Sequence, residues 1–131
     1  MPIEYSIDPA RRLVSAKGHG TLTEHEVFAY QKEVWSRPEV AGFNELMDMT
    51  DANVSEPPTT ARLRKLATLS ASMDPEGVRS KFAIVAPQLL AFGLGRMYEA
   101  YRAMEPASTK EVAVFRTMDE ALAFLGIADM N

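Results

Sequence analysis

Two stretches late in the chain share one pattern. Lys81 to Pro87 reads KFAIVAP and runs into QLLAFGLGRMYEAYRAM, and after a polar break EVAVF runs into TMDEALAFLGI. A strand with a wet face alternates apolar and polar residues, whereas these runs are apolar throughout. Such strands must be covered on both sides, as parallel strands are in an α/β layer fold. That requirement sets the scaffold expected for the second half of the chain.

The first half supplies the rest of the sheet. Ile3, Tyr5 and Ile7 alternate with Glu4 and Ser6, and Asp8-Pro9 marks a turn, so the chain opens with a half-buried strand entering a hairpin. The return strand is expected from about Leu13 to Leu22, with Gly18-His19-Gly20 as weak strand chemistry inside it. Thr23-Glu24-His25-Glu26 is a capping box that starts a first helix, with Val27, Phe28, Val34 and Trp35 at helical spacing and Pro38 ending the pattern. Glu45 to Thr50 reads as the next strand. Pro57 and Pro58 suit the start of a second helix, with Leu63, Leu66 and Met73 as its inner stripe and Arg62, Arg64 and Lys65 as its wet face. Asp74 to Gly77 closes that helix. Thr117 and Glu120 form a second capping box ahead of Leu122 and Leu125.

The expected order is β-β-α-β-α-β-α-β-α. Strands separated by helices pair in parallel through crossovers and the opening hairpin adds an antiparallel edge, giving a mixed five-stranded sheet in an α/β fold. At 131 residues, with 47% hydrophobic and 24% charged, residues 1–131 are expected to form one domain. No segment reaches the roughly 20 apolar residues of a membrane span, and MPIEYSID has neither a basic start nor an apolar signal core, so a cytoplasmic protein is expected. Absence of cysteine excludes disulfides, thiolate metal sites and a Cys nucleophile. A net charge of −4 gives no electrostatic attraction to nucleic acid or anionic lipid.

Gly20-Thr21-Leu22 ahead of the first helix, MDMTD at Met47 to Asp51, FAIVAP at Phe82 to Pro87, AFGLGRMYEA at Ala91 to Ala100 and the closing VAVFRTMDEALAFL together resemble the STAS-like family. That family is related to the bacterial anti-sigma factor antagonists and grouped with the CRAL-TRIO lipid-transfer fold, and the resemblance covers nearly the whole chain. It implies a STAS/CRAL-TRIO-like fold and a non-catalytic, regulatory module, with lipid or fatty-acid carriage as the alternative. Anti-sigma factor antagonists carry a phosphorylated serine at the start of the helix after the central strand. The corresponding stretch is Ser55-Glu56-Pro57-Pro58-Thr59-Thr60, where proline takes the expected serine positions and no glycine follows. Ser55, Thr59 and Thr60 still stand at a predicted helix N-terminus, where a side-chain oxygen caps the first turn or an added phosphate meets a favourable dipole.

Other constellations are weaker. Asp48, Asp51 and Glu56 gather near the carboxyl end of a strand, and His19 and His25 stand six residues apart, but neither set has metal-ligand spacing. An enzyme using Asp48, Asp51 or His19 is the third reading. Gly93-Leu94-Gly95-Arg96 lacks the third glycine of a dinucleotide fingerprint and lies six residues beyond Pro87, so no cofactor is expected. Gln88 to Met104 reads instead as one helix with Leu90, Leu94, Met97 and Tyr101 inward. Phe92, Arg96 and Tyr98 then lie off that stripe, as extra core, a homodimer face or the wall of an apolar pocket. The expected function is therefore binding of a partner protein or a small apolar ligand. Ser55, Thr59, Thr60, Arg62, Phe92, Arg96, Met97 and Tyr98 are the expected contact residues.

Overall fold

The computed structural model describes residues 2–54 and 56–127. In chain order the elements are β1 (Ile3–Asp8), β2 (Leu13–Gly18), β3 (Gly20–Thr21), α1 (Glu24–Trp35), β4 (Asn44–Asp48), β5 (Ala52–Asn53), α2 (Thr60–Ser72), β6 (Ser80–Val85), α3 (Leu89–Ala103), β7 (Lys110–Phe115) and α4 (Met118–Leu125), with a 3-10 turn at Pro38–Val40. The main sheet has five strands in the order β1-β2-β4-β6-β7, so the expected mixed five-stranded α/β sheet is present. β1 and β2 pair antiparallel and all other neighbours are parallel.

Strand order steps one way across the sheet from β2 to β7, and right-handed crossovers then place every intervening helix on the same face. That face carries Val14, Ala16, Met47, Phe82 and Val112, packed with Tyr30, Val34 and Trp35 of α1, Leu63 and Ala67 of α2 and Tyr98 of α3. α4 folds back onto the other face, where Ala121, Leu122 and Leu125 cover Leu13, Leu46, Ala83 and Val85. β4 and β6 are thus buried on both sides, which is why their sequences do not alternate.

The return strand is shorter than its sequence pattern. It ends at Gly18, and Gly20 then takes a φ of +68°, a conformation that glycine adopts without Cβ strain. Residues 20–21 leave the main sheet and pair in parallel with β5, a two-residue strand that the sequence pattern does not reveal. The box at Thr23 forms in full, with the hydroxyl accepting from Glu26 N (3.1 Å) and the Glu26 carboxylate accepting from Thr23 N (3.0 Å). At Thr117 the hydroxyl accepts from Glu120 N (3.3 Å) and donates to that residue's carboxylate (3.0 Å). α2 begins later than expected: Pro57 and Pro58 precede it, and Thr59 is its N-cap, accepting from Arg62 N at 3.2 Å.

The expected inward face of α3 is rotated. Ala91, Tyr98 and Arg102 are its buried residues, while Leu90 and Met97 are 47% and 36% exposed. Two contacts set this rotation. A Cβ on Gly95 would lie 3.0 Å from the Val114 side chain, so that turn presses on β7, and Tyr98 with Arg102 turns inward to a buried carboxylate described below. Glu99 reaches the outer edge of β7, where its carboxylate accepts from Val114 N at 3.1 Å. Among the described residues, no helix is long and apolar enough to cross a membrane.

Gly93, two residues before Gly95 on the same helix, has nothing within 4 Å of an added Cβ. Gly93→Ala should therefore raise stability by about 0.5–1 kcal/mol through helix propensity. Gly95→Val should lower it by about 1–3 kcal/mol by overpacking against Val114. Urea midpoints of the two variants check both, and equal midpoints would contradict the close approach of α3 to β7.

Candidate functional site

The inner face of the sheet divides into two successive rows. Glu45 of β4 lies opposite Phe82 of β6, and two residues on, Met47 lies opposite Ile84. The first row is polar and closed; the second borders an apolar cavity.

The polar row centres on two buried carboxylates. The side chains of Arg102 and Asp74 are 1% and 0% exposed, and Nη2 of Arg102 donates to Asp74 Oδ2 at 2.5 Å. The same oxygen accepts from the backbone N–H groups of Thr109 (2.8 Å) and Lys110 (3.1 Å). Arg102 also donates to the hydroxyls of Tyr98 (2.8 Å) and Ser108 (3.2 Å). One carboxylate thereby ties the end of α2 to α3 and to the start of β7. Glu45, 1% exposed, accepts from the Tyr30 hydroxyl at 2.5 Å. Burial pushes its carboxyl above the ordinary range against the opposing pull of Lys110, Tyr30, Trp35 and Arg102, and pushes the Lys110 ammonium and the Tyr30 phenol away from their charged forms. Lys110 Nζ donates to Phe43 O (3.1 Å) and Ser80 Oγ (3.0 Å) and lies 5.5 Å from the centre of the Trp35 ring, with Arg102 Cζ 5.8 Å from that ring.

The apolar cavity has a volume of about 130 Å³. The sheet contributes Met47, Phe82 and Ile84, with Met49 and Val54 beyond the strand ends; the helices contribute Val27, Leu63, Leu66, Ala91, Leu94 and Gly95. None of these carries a charge. Gln31 and Tyr98 complete the lining, and both belong to the polar row as well: Ser70 Oγ donates to Gln31 Oε1 at 2.5 Å, and Tyr98 receives the Arg102 bond. A cavity built from thioether, aromatic and branched aliphatic groups, with one amide and one phenol at its polar side, suits a small uncharged guest.

The expected contact residues are dispersed. Ser55 lies outside the described residues. Thr59 caps α2, Thr60 is exposed, and exposed Arg62 is ion-paired with Glu24. Arg96 and Met97 are on the exposed side of α3, and half-buried Phe92 lies under the Arg116 guanidinium, 5.3 Å away. Tyr98 is buried, contrary to its expected position off the inner stripe, and it is the one of these that lines the cavity. The groups of the enzymatic reading are each engaged separately. Asp48 accepts from the N–H (2.9 Å) and hydroxyl (2.5 Å) of Thr50, Asp51 pairs with Lys17 at 3.0 Å, and His19 Nε2 stands 3.4 Å from Glu4. Asp48 and Lys17 border an open groove of about 370 Å³ on the other face of the sheet, beside Glu4 and Ser15. Among the described residues, no cluster of His, Asp and Glu has the arrangement of a metal site.

Glu45, Asp74, Arg102, Lys110 and Gln31 were not reached by sequence reasoning. Glu45 carried a usable signal, since a charged residue in a strand covered on both faces has to be buried. No protein-family model matches the chain, and no curated protein matches its sequence.

Asp74→Ala should cost about 3–5 kcal/mol, because it leaves the Arg102 guanidinium buried without its counter-charge; chemical denaturation measures this, and a loss below 1 kcal/mol would refute the pairing. A second test uses pH. The folded protein holds the Glu45 proton more tightly than the unfolded chain, whose carboxyl has the ordinary value of 4.5, so this group's contribution to stability is present at low pH and falls as pH rises above that value. The difference in unfolding free energy between wild type and Glu45→Gln should move in favour of the variant from pH 4 to pH 7. A difference independent of pH would contradict the raised carboxyl.

Proposed function

We propose that this chain is a non-catalytic, STAS-like binding module that takes a small apolar molecule between its sheet and helices α1 to α3. The observation that carries this reading is the cavity of about 130 Å³ walled by Met47, Met49, Phe82, Ile84, Leu63 and Leu94 and free of charged side chains. Engineered cavities near 150 Å³ with similar linings bind benzene. Drug-sized sites run from roughly 300 to 1,000 Å³, so a compact ring fits this volume far better than an acyl chain does. The order of elements agrees with the STAS-like resemblance. The non-catalytic part of the reading draws on Asp48, which is held by Thr50, and on Asp51, which pairs with Lys17.

A protein partner is the second reading, favoured by Leu89, Leu90 and Met97, which stand 76%, 47% and 36% exposed along α3. A sedimentation profile that stays monomeric at high concentration and is unchanged by Leu90→Glu would remove its homodimer form.

Benzene titrated into the protein should shift the methyl resonances of Met47, Met49, Leu63 and Ile84. Ala91→Met, which fills the cavity from α3, should abolish the shifts without changing the circular dichroism. A wild-type spectrum unmoved at saturating benzene would end the ligand reading.

A further inference from the structure

We infer that the guest is a neutral monocyclic ring of benzene size carrying one hydroxyl, the phenol class, held by the Gln31 amide at the polar side of the cavity. This rests on the ligand reading above and adds chemistry to it.

Shape comes first. A volume of about 130 Å³ matches one six-membered ring with a small substituent. Two methionine thioethers and the Phe82 ring line that space, and sulfur and aromatic edges both favour a flat aromatic guest over a flexible aliphatic one of equal size.

Charge comes second. The wall holds no acid, lysine or arginine, so a carboxylate or ammonium would enter with nothing to replace its hydration. Arg102, which donates to the lining residue Tyr98, is already committed to Asp74, Tyr98 and Ser108.

Polarity comes third. Gln31 is 2% exposed yet lines the cavity, and an amide side chain offers two acceptor lone pairs and two donors. Ser70 occupies one lone pair, and the Tyr98 hydroxyl interacts with both Gln31 and Ser70 while accepting from Arg102. Two of the amide's four hydrogen-bonding positions are left after these contacts, and its position is fixed by Ser70 from α2. A guest hydroxyl meeting it keeps its hydrogen bond on leaving water. In a purely apolar cavity that hydroxyl would lose the bond, and phenol would bind more weakly than benzene.

The test is calorimetric or NMR titration of the full chain with benzene, phenol, benzoate and dodecanoate, repeated on Gln31→Leu and Gln31→Met. Phenol should bind wild type more tightly than benzene, benzoate and dodecanoate should not compete, and the phenol preference should fall by about 3- to 10-fold in the variants while benzene binding is kept. Benzene binding with no phenol preference, or equal binding of benzoate, overturns this inference and leaves the cavity reading standing. Failure of every probe overturns both. Should both variants unfold, the wild-type order of phenol against benzene decides.

Discussion

The fold is organised around one oxygen atom. Asp74 Oδ2 receives the Arg102 guanidinium and the first two backbone amides leading into β7, so the end of α2, the last turn of α3 and the root of an edge strand meet at a single charge. These elements are 28 to 36 positions apart in sequence. Because Arg102 must face Asp74, Tyr98 one turn earlier faces inward too, and Ala91 and Leu94 follow on the same side. The rotation of α3, and with it the identity of the residues that wall the cavity, descends from that contact.

A buried pair of this kind is weak evidence of stability in itself, since desolvating two ions costs much of what their attraction returns. Its value here is positional. Apolar side chains alone would let α3 slide or turn by a residue with little penalty, whereas a guanidinium with three hydrogen-bond partners admits one orientation. Trp35 spreads the consequence further, lying near both Arg102 and Lys110 and meeting Phe82 edge-on at 5.3 Å. Glu45 sits in the same company with its proton held tightly by burial. Polar and apolar rows thus share Phe82, Gln31 and Tyr98, and the shape of the cavity is set by hydrogen bonds outside it.

The layered sheet was legible because parallel strands buried on both faces leave an unmistakable absence of alternation, as in FAIVAP and VAVF. Caps were legible for a local reason, since Thr23 with Glu26, and Thr59 by itself, need only their own turn. The rotation of α3 was not. Hydrophobicity placed Leu90 and Met97 inside, but the tightest constraints on that helix are a glycine pressed on Val114 and an arginine answering an aspartate from another helix end. Neither is a property of the helix alone. An apolar pocket beside α3 was among the sequence expectations, but its lining was not legible for the same reason: Tyr98 read as lying off the inner stripe and Gln31 gave no signal, until long-range packing brought both beside Met47 and Phe82. The break at Gly18 to Gly20 was signalled by its glycines, while the two-residue pairing with Ala52 and Asn53 had no pattern to announce it.

The Glu99 carboxylate on Val114 N also gives the sheet a direction of growth. A strand approaching β7 must first displace that side chain, while β1 forms the opposite border of the sheet. Two such sheets joined through β1 would each present only a guarded border to a third. A border guarded in this way resists the open-ended strand addition by which an unguarded sheet extends into a fibre.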